Sequence, residues 1–250
     1  MSIWQIQTNH FLLPKSGIEL SECEDAIGVN EPSYRFAIAD GATEAFDSRS
    51  WAQLLVNDWV QLDPIVQTAE DFATFVAKQA QTLHDSWRDL KLSWYSEEKA
   101  RDGSYAAFVG LQLELDESSP RWRAIALGDS CFMHCRNNEI LTSFPILRPE
   151  DFNATPLLVP SHSSLRHLTF ERVAMKGGLL QDGDVLMLLS DAAACWYLRK
   201  DEQMEQLRSS FDMLLKTNQN VGLLELISAQ REGGRMVDDD IAVIRIEVSC

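Results

Sequence analysis

Apolar and polar positions alternate along this chain in short, separate periods. Residues 34–39 (YRFAIA) form a compact apolar run that Asp40-Gly41 stops, as a turn stops a strand. Residues 25–29 read as its antiparallel partner, with Asn30-Glu31-Pro32-Ser33 connecting the two. Two helical periods follow. Trp51, Leu54, Leu55, Trp59 and Leu62 share one face of a helix over 50–62. Phe72, Phe75, Val76, Ala80, Leu83 and Trp87 do the same from Thr68 to about Leu92. The tryptophans on these faces read as core.

Strand patterns return at 105–115 and 121–127, around a charged hairpin at 116–120. Gly128-Asp129-Ser130 turns into a strand over 131–136, and Asn137-Asn138 closes another hairpin. From Pro145 to about His167 four prolines break every period, which predicts an irregular loop. A strand at 185–189 leads to helical patterns at 192–198, 202–215 and 221–230, and the chain closes with a strand at 241–248. Antiparallel hairpins with helices inserted and appended predict an α+β fold of two layered sheets with flanking helices.

With 250 residues the chain is long enough for a large core without staples, and neither a linker nor a repeat divides it, so 1–250 reads as one domain. No apolar run reaches the roughly 20 residues of a membrane span. The start, Met1-Ser2-Ile3-Trp4, has neither a basic segment nor an apolar signal core, so the expected location is the cytoplasm. A formal charge of −16 argues against a nucleic-acid backbone as partner and suits divalent cations. The five cysteines form no C-x-x-C pair and the five histidines no H-x-H or H-E-x-x-H, so thiolate or imidazole metal chemistry is not expected.

The chemistry lies in acids at strand ends. Asp40 follows YRFAIA, Asp129 follows WRAIALG and Asp191 follows VLMLLS. Asp238, Asp239 and Asp240 stand just before IAVIRI, while Glu24 and Asp25 precede AIGV. A hairpin joining residue 29 to 34 or 35 sets Glu24 and Asp25 opposite Ala39 and Asp40. If the strands at 185–190 and 241–248 run antiparallel, Asp40, Asp191 and Asp239 or Asp240 meet at one rim. Like charges so gathered need neutralising, and oxygen ligands alone point to Mg²⁺ or Mn²⁺. Ser104 has no base at triad spacing and is not expected to be a nucleophile.

These motifs, in this order, resemble the metal-dependent protein phosphatases of the 2C type along almost the whole chain. Glu24-Asp25-Ala26, Phe36-Ala37-Ile38-Ala39-Asp40-Gly41, Gly103-Ser104, Gly128-Asp129-Ser130, the 184–191 strand ending Ser190-Asp191, and Asp239-Asp240 carry the likeness. The resemblance implies a four-layer α-β-β-α sandwich with a binuclear Mn²⁺ or Mg²⁺ site at one sheet edge. By position, Asp40 would bridge the ions and Gly41 would offer its carbonyl. Asp191 and Asp239 would complete one ion, Glu24 and Asp25 would serve the other, and Asp129 with Asp191 would match a third site. A metal-bridging water would then attack phosphorus, with no catalytic side chain forming a covalent intermediate. The implied activity is hydrolysis of phosphoserine and phosphothreonine in proteins by a bacterial-type enzyme, and the implied partners are a phosphoprotein substrate and a cognate kinase.

Four departures qualify the likeness. Asp40-Gly41 continues as Ala42-Thr43-Glu44-Ala45 without a histidine, and Ala192 follows Asp191 where the family has glycine. The closing pair is Asp-Asp rather than Asp-Asn. Leu20 occupies the place of a phosphate-gripping arginine, and nearby Lys15 is the substitute expected to bind substrate, as a point charge. The alternative these changes favour is a weak or inactive relative that binds a kinase or phosphoprotein. For the closing pair, Asp239 is expected to be the ligand and Asp240→Asn to be nearly silent.

Overall fold

A computed structural model describes residues 4–63, 65–91, 93–152, 155–162 and 171–250. Among them the antiparallel strands make two sheets. The first has the order β1 (Gln5–Leu13), β11 (Ile241–Ser249), β10 (Val185–Leu189), β6 (Cys131–Arg136) and β7 (Glu139–Phe144). The second runs β2 (Asp25–Asn30), β3 (Arg35–Gly41), β4 (Tyr105–Glu114), β5 (Arg121–Leu127) and β9 (Ala174–Leu179), and β8 (Val159–Pro160) pairs with β4.

Period-two alternation sorts the strand residues between layers. Phe36 and Ile38 of β3 face Leu186, Leu188, Ile244 and Ile246 in a core between the sheets. Ala37 and Ala39 turn the other way, beneath α1 (Ser48–Trp59) and α2 (Ala69–Trp87), where Trp51, Phe72 and Leu83 are fully or almost fully buried. On the far side, Met187, Leu189 and Val243 pack against α4 (Asp191–Tyr197), α5 (Met204–Lys216) and α6 (Asn220–Glu232). The result is helices, sheet, sheet, helices, as the motif order implied. Trp51, Trp59 and Trp87 are all core.

Local chemistry sets the ends of these elements. Thr68 and Asp71 form a reciprocal capping box that starts α2. Asn137 and Asn138 both take positive φ in the β6–β7 hairpin, as its two-residue turn requires. Gly110 lets α1 lie on the sheet, since a Cβ there would stand 2.5 Å from the Trp59 ring.

Some elements differ from the sequence expectation. β1, β9 and α3 (Trp94–Asp102) carry no clear period and were not expected. The 25–29 strand pairs Val29 with Phe36 rather than with 34 or 35, because Glu31–Ser33 forms a 3-10 turn that lengthens the loop. The helix expected to reach Leu92 ends at Trp87, and Leu92 lies outside the described residues. Within the stretch expected to be irregular, Val159–Pro160 pairs with the start of β4; Asn153, Ala154 and residues 163–167 lie outside the described residues. No helix among the described residues is long and apolar enough to cross a membrane.

Candidate metal centre

The β2–β3 hairpin brings the first two acids together. Asp25 pairs with Asp40 and Ala26 with Ala39, so the open end carries both carboxylates on one face. That face also holds Phe36 and Ile38, so the two acids close the end of the inter-sheet core. Glu24 follows the ladder outward, its carbonyl accepting from the Gly41 N–H at 3.2 Å.

From the other sheet come Asp191 and Asp239. β10 and β11 are antiparallel, with Leu189 opposite Val243, so the end of one strand meets the start of the other. Asp191 opens α4 directly after β10, and Asp239 precedes β11. Asp129 sits in the turn between β5 and β6. Gly128 makes that turn possible, with φ of +109° and the Ala107 side chain 2.6 Å from where a Cβ would stand. Glu24, Asp40, Gly41, Asp129, Asp191, Asp239 and Asp240 line one cleft of about 310 Å³. Asp25 is buried behind it.

Burial and mutual repulsion perturb this group. Burial pushes the Asp25 carboxyl well up, and the charges of Asp191, Asp240 and Asp239 add to it. The nearby Ser190 hydroxyl favours the Asp25 anion without reaching hydrogen-bond geometry, so both Asp25 oxygens are buried with no hydrogen bond among the described residues. Asp40 keeps partial exposure through the cleft, but the protein enclosing it raises its carboxyl, followed by repulsion from Asp25, Asp191 and Asp129. Burial and then Asp191 push Asp129 up to about 7. Burial and then Asp239 push Asp191 up to about 6.

Glu24 is held more firmly. Its carboxylate accepts from the Thr43 hydroxyl at 2.7 Å and the Ser48 hydroxyl at 2.5 Å. Lys15 Nζ lies 3.7 Å from Glu24 Oε2, which brings the expected substrate-binding lysine to the rim. The closing pair divides its work. Both acids line the cleft, against the expectation that only one would; the pleat begins at Ile241, after them. Asp240 is buried, with one carboxylate oxygen accepting from the Lys15 N–H and the other from the Glu24 N–H, each at 2.7 Å. Asp239 is half-buried, and among the described residues its carboxylate accepts only the neighbouring Asp240 N–H, at 2.9 Å. Asp240 is thus already engaged by two backbone N–H groups, a structural role that the expected silence of Asp240→Asn left out of account.

The donor set fits hard divalent cations: oxygen atoms only, mutually repelling, with one buried carboxylate lacking any hydrogen bond. The fit lies in charge and donor type rather than in a closed cage. Among the described residues no three acidic, imidazole or thiol side chains form a ready-made metal group.

Sequence reading did not find Thr43 and Ser48, whose contacts with Glu24 come from a loop and a helix start that no period marks. Ser104 is fully buried and its hydroxyl donates to the Phe46 carbonyl, so it is no nucleophile.

No family model matches the chain, and no curated protein matches it in sequence. Solved structures do. The serine/threonine phosphatase PstP/Ppp of Mycobacterium tuberculosis superposes with a TM-score of 0.65 at 15% identity, over 98% of this chain and 99% of that one. The photosystem II phosphatase PBCP gives 0.64 at 14% identity, over 97% and 98%. The fold is that of the 2C-type phosphatases. A catalytic domain of PstP in complex with two manganese ions has the same fold, with a TM-score of 0.63 at 15% identity over 99% and 100%. Within this phosphatase fold, the acids described above come from both sheets at one rim.

Proposed function

We propose that this chain is a divergent, bacterial-type, cytoplasmic member of the 2C-type family, one domain over 1–250, that hydrolyses phosphoserine and phosphothreonine in proteins with Mn²⁺ or Mg²⁺. One observation supports this above all: Asp40, Asp129, Asp191 and Asp239 gather at one cleft with Asp25 buried behind them, their carboxyls raised by burial and repulsion or adding to that repulsion.

Asp40, the Gly41 carbonyl, Asp191, Asp239, Glu24 and Asp25 would hold two cations, and Asp129 with Asp191 a third. When bound, such cations supply an activated water and neutralise charge at a phosphoryl group. Thr43 and Ser48 fix the Glu24 carboxylate in one orientation. Asp240 ties the backbone of Lys15 and Glu24 to the start of β11. The Lys15 ammonium, 29% exposed, offers a point charge to an incoming phosphoryl dianion. With a net charge of −16, the rest of the molecule repels such a dianion, so binding depends on that lysine and on neutralised acids.

The test is phosphate release from a phosphothreonine peptide with and without Mn²⁺. Release only with Mn²⁺ is expected. Folded protein that binds Mn²⁺ but releases nothing supports the second reading, a non-catalytic binder of a phosphoprotein or kinase. That reading is favoured by the absence of a histidine from the cleft lining among the described residues, where Ala42 and Thr43 stand instead.

A further inference from the structure

The side chain that ties this rim together lies outside the cleft, on α6. Arg231 Nη1 is 3.2 Å from Asp238 Oδ1 and donates to the Pro14 carbonyl at 3.5 Å. Arg231 Nη2 donates to the main-chain carbonyl of Asp239 at 2.5 Å. The side chain is only 11% exposed, and its Nε is buried with no hydrogen bond among the described residues. Withdrawing a guanidinium from water is costly unless its contacts compensate. Here they fall on two segments that meet at the cleft: the one carrying Lys15 and the one carrying Asp239.

The same two segments interlock directly. Asp238 Oδ1 accepts from the Ser16 N–H and the Ser16 hydroxyl, each at 3.0 Å. Asp240 accepts from the Lys15 and Glu24 N–H groups. Asp239 therefore sits between two acids whose carboxylates hold the 15–24 segment, while Arg231 holds its carbonyl from behind. A planar fork reaches all three acceptors at once, which a lysine ammonium cannot reproduce.

We propose that Arg231 is a positioning residue: it fixes Asp239 as a cation ligand and Lys15 as the phosphate-binding cation. The assignment of those two roles rests on the phosphatase reading above. Arg231 does not line the cleft and acts through the backbone of residues 14 and 239 and through Asp238.

Two measurements on the full chain test this. In metal-free protein, Arg231→Ala is expected to speed amide hydrogen exchange at Lys15, Ser16 and Glu24 by at least about tenfold, with exchange in α2 unchanged. By calorimetry, its Mn²⁺ affinity is expected to fall about 10–100-fold, the usual effect of removing a group that orients a ligand. With saturating Mn²⁺ and an aryl phosphate, KM should rise more than kcat falls, and Arg231→Lys should restore only part of either loss. Should Arg231→Ala fail to fold, Asp238→Ala carries the same test, since its side chain is 47% exposed and its loss leaves the Ser16 N–H, the Ser16 hydroxyl and Arg231 Nη1 without that acceptor. A folded Arg231→Ala with a lower Tm but unchanged exchange and Mn²⁺ affinity overturns the positioning role alone. Wild-type protein that binds no Mn²⁺ overturns the phosphatase reading, and with it the roles given to Asp239 and Lys15.

Discussion

Asp25 and Asp40 are cross-strand partners at the open end of the β2–β3 hairpin, and both carboxyls are raised well above the ordinary carboxylate range, first by burial and then by nearby acids, Asp25 among those acting on Asp40. Like charges directly opposite one another on a sheet are destabilising. The pair is a local weakness of the metal-free fold, tolerated where two strands could have ended in apolar residues.

Asp40→Asn should therefore separate stability from activity. Removing one repelling charge is expected to raise the Tm of metal-free protein by about 2–4 °C for each 1 kcal/mol relieved in a chain of this size. Mn²⁺-dependent phosphate release should fall by more than about 100-fold. Calorimetric unfolding of the metal-free variant and a phosphate-release assay check the two halves. Near-normal activity in folded Asp40→Asn would remove Asp40 from the metal site.

The same raised carboxyls set a pH dependence. Asp129 and Asp191 ionise at about 7 and about 6 in the native state, against about 3.9 in an unfolded chain. Between these limits the native state binds protons that the unfolded state has released. Their contribution to stability is fully present below about pH 4 and is lost as pH rises through about 6 to 7. Metal-free Tm should thus climb as pH is lowered from about 8 to about 5. Saturating Mn²⁺ should reverse the trend, because cations bind the deprotonated ligands and stabilise the native state by mass action. A metal-free Tm that falls steadily over that interval, or does not respond to millimolar Mn²⁺, contradicts the acidic metal centre.

Asp239 and Asp240 should fail in different ways. Asp239→Ala is expected to lose Mn²⁺ affinity with little change in metal-free Tm, since its carboxylate bonds only its neighbour's N–H. Asp240→Asn replaces one of two acceptors with an amide NH₂ facing an N–H donor, leaving a buried bond unmade at a cost of about 1–3 kcal/mol. Thermal melts and Mn²⁺ titrations of both variants distinguish these outcomes. A silent Asp240→Asn would show that its two backbone bonds contribute little to the fold.

Away from the cleft, Asp184 braces β10 to β6. It is fully buried, with Arg136 bound to both its oxygens at 2.6 and 2.9 Å and His134 Nε2 at 2.8 Å. Burial works against its anion, but the Arg136 bonds, the Gln181 N–H and His134 outweigh it and hold the carboxyl below its ordinary value. The stability it contributes is present above the unfolded carboxylate pKa and is lost as pH falls through the depressed native one. Asp184→Asn should cost about 3–5 kcal/mol by leaving Arg136 and His134 without their partner, and should blunt acid unfolding below about pH 4. Urea unfolding at pH 7 and at pH 3.5 measures both effects.

What the chain disclosed in advance follows from where its signals are local. The β2–β3 hairpin, β10 and β11 read clearly because apolar runs end abruptly at acids, and pairing arithmetic then set Glu24 and Asp25 against Ala39 and Asp40, one residue out of the observed Asp25–Asp40 register. β9 did not, since Gly177-Gly178 interrupts an edge strand whose side chains are mostly exposed. β1 was hidden by Asn9 and His10 within its run, and α3 by a surface almost without an apolar face. The hydroxyls on Glu24 and the Arg231 fork were not legible at all. The Glu24 contacts and the Arg231–Pro14 bond join residues far apart in the chain, and the Arg231 bonds to 238 and 239 cross a turn, so none of them leaves a period behind.

Because Asp25 and Asp40 belong to one sheet and Asp191 and Asp239 lead into or out of strands of the other, an ion held among them would act as a rivet through both layers. Ion affinity and the alignment of the two sheets at that rim are then one equilibrium seen from two sides. A substitution in the inter-sheet core that slides one layer against the other weakens ion binding without touching a ligand, and loading the ion stiffens the sandwich against that slide.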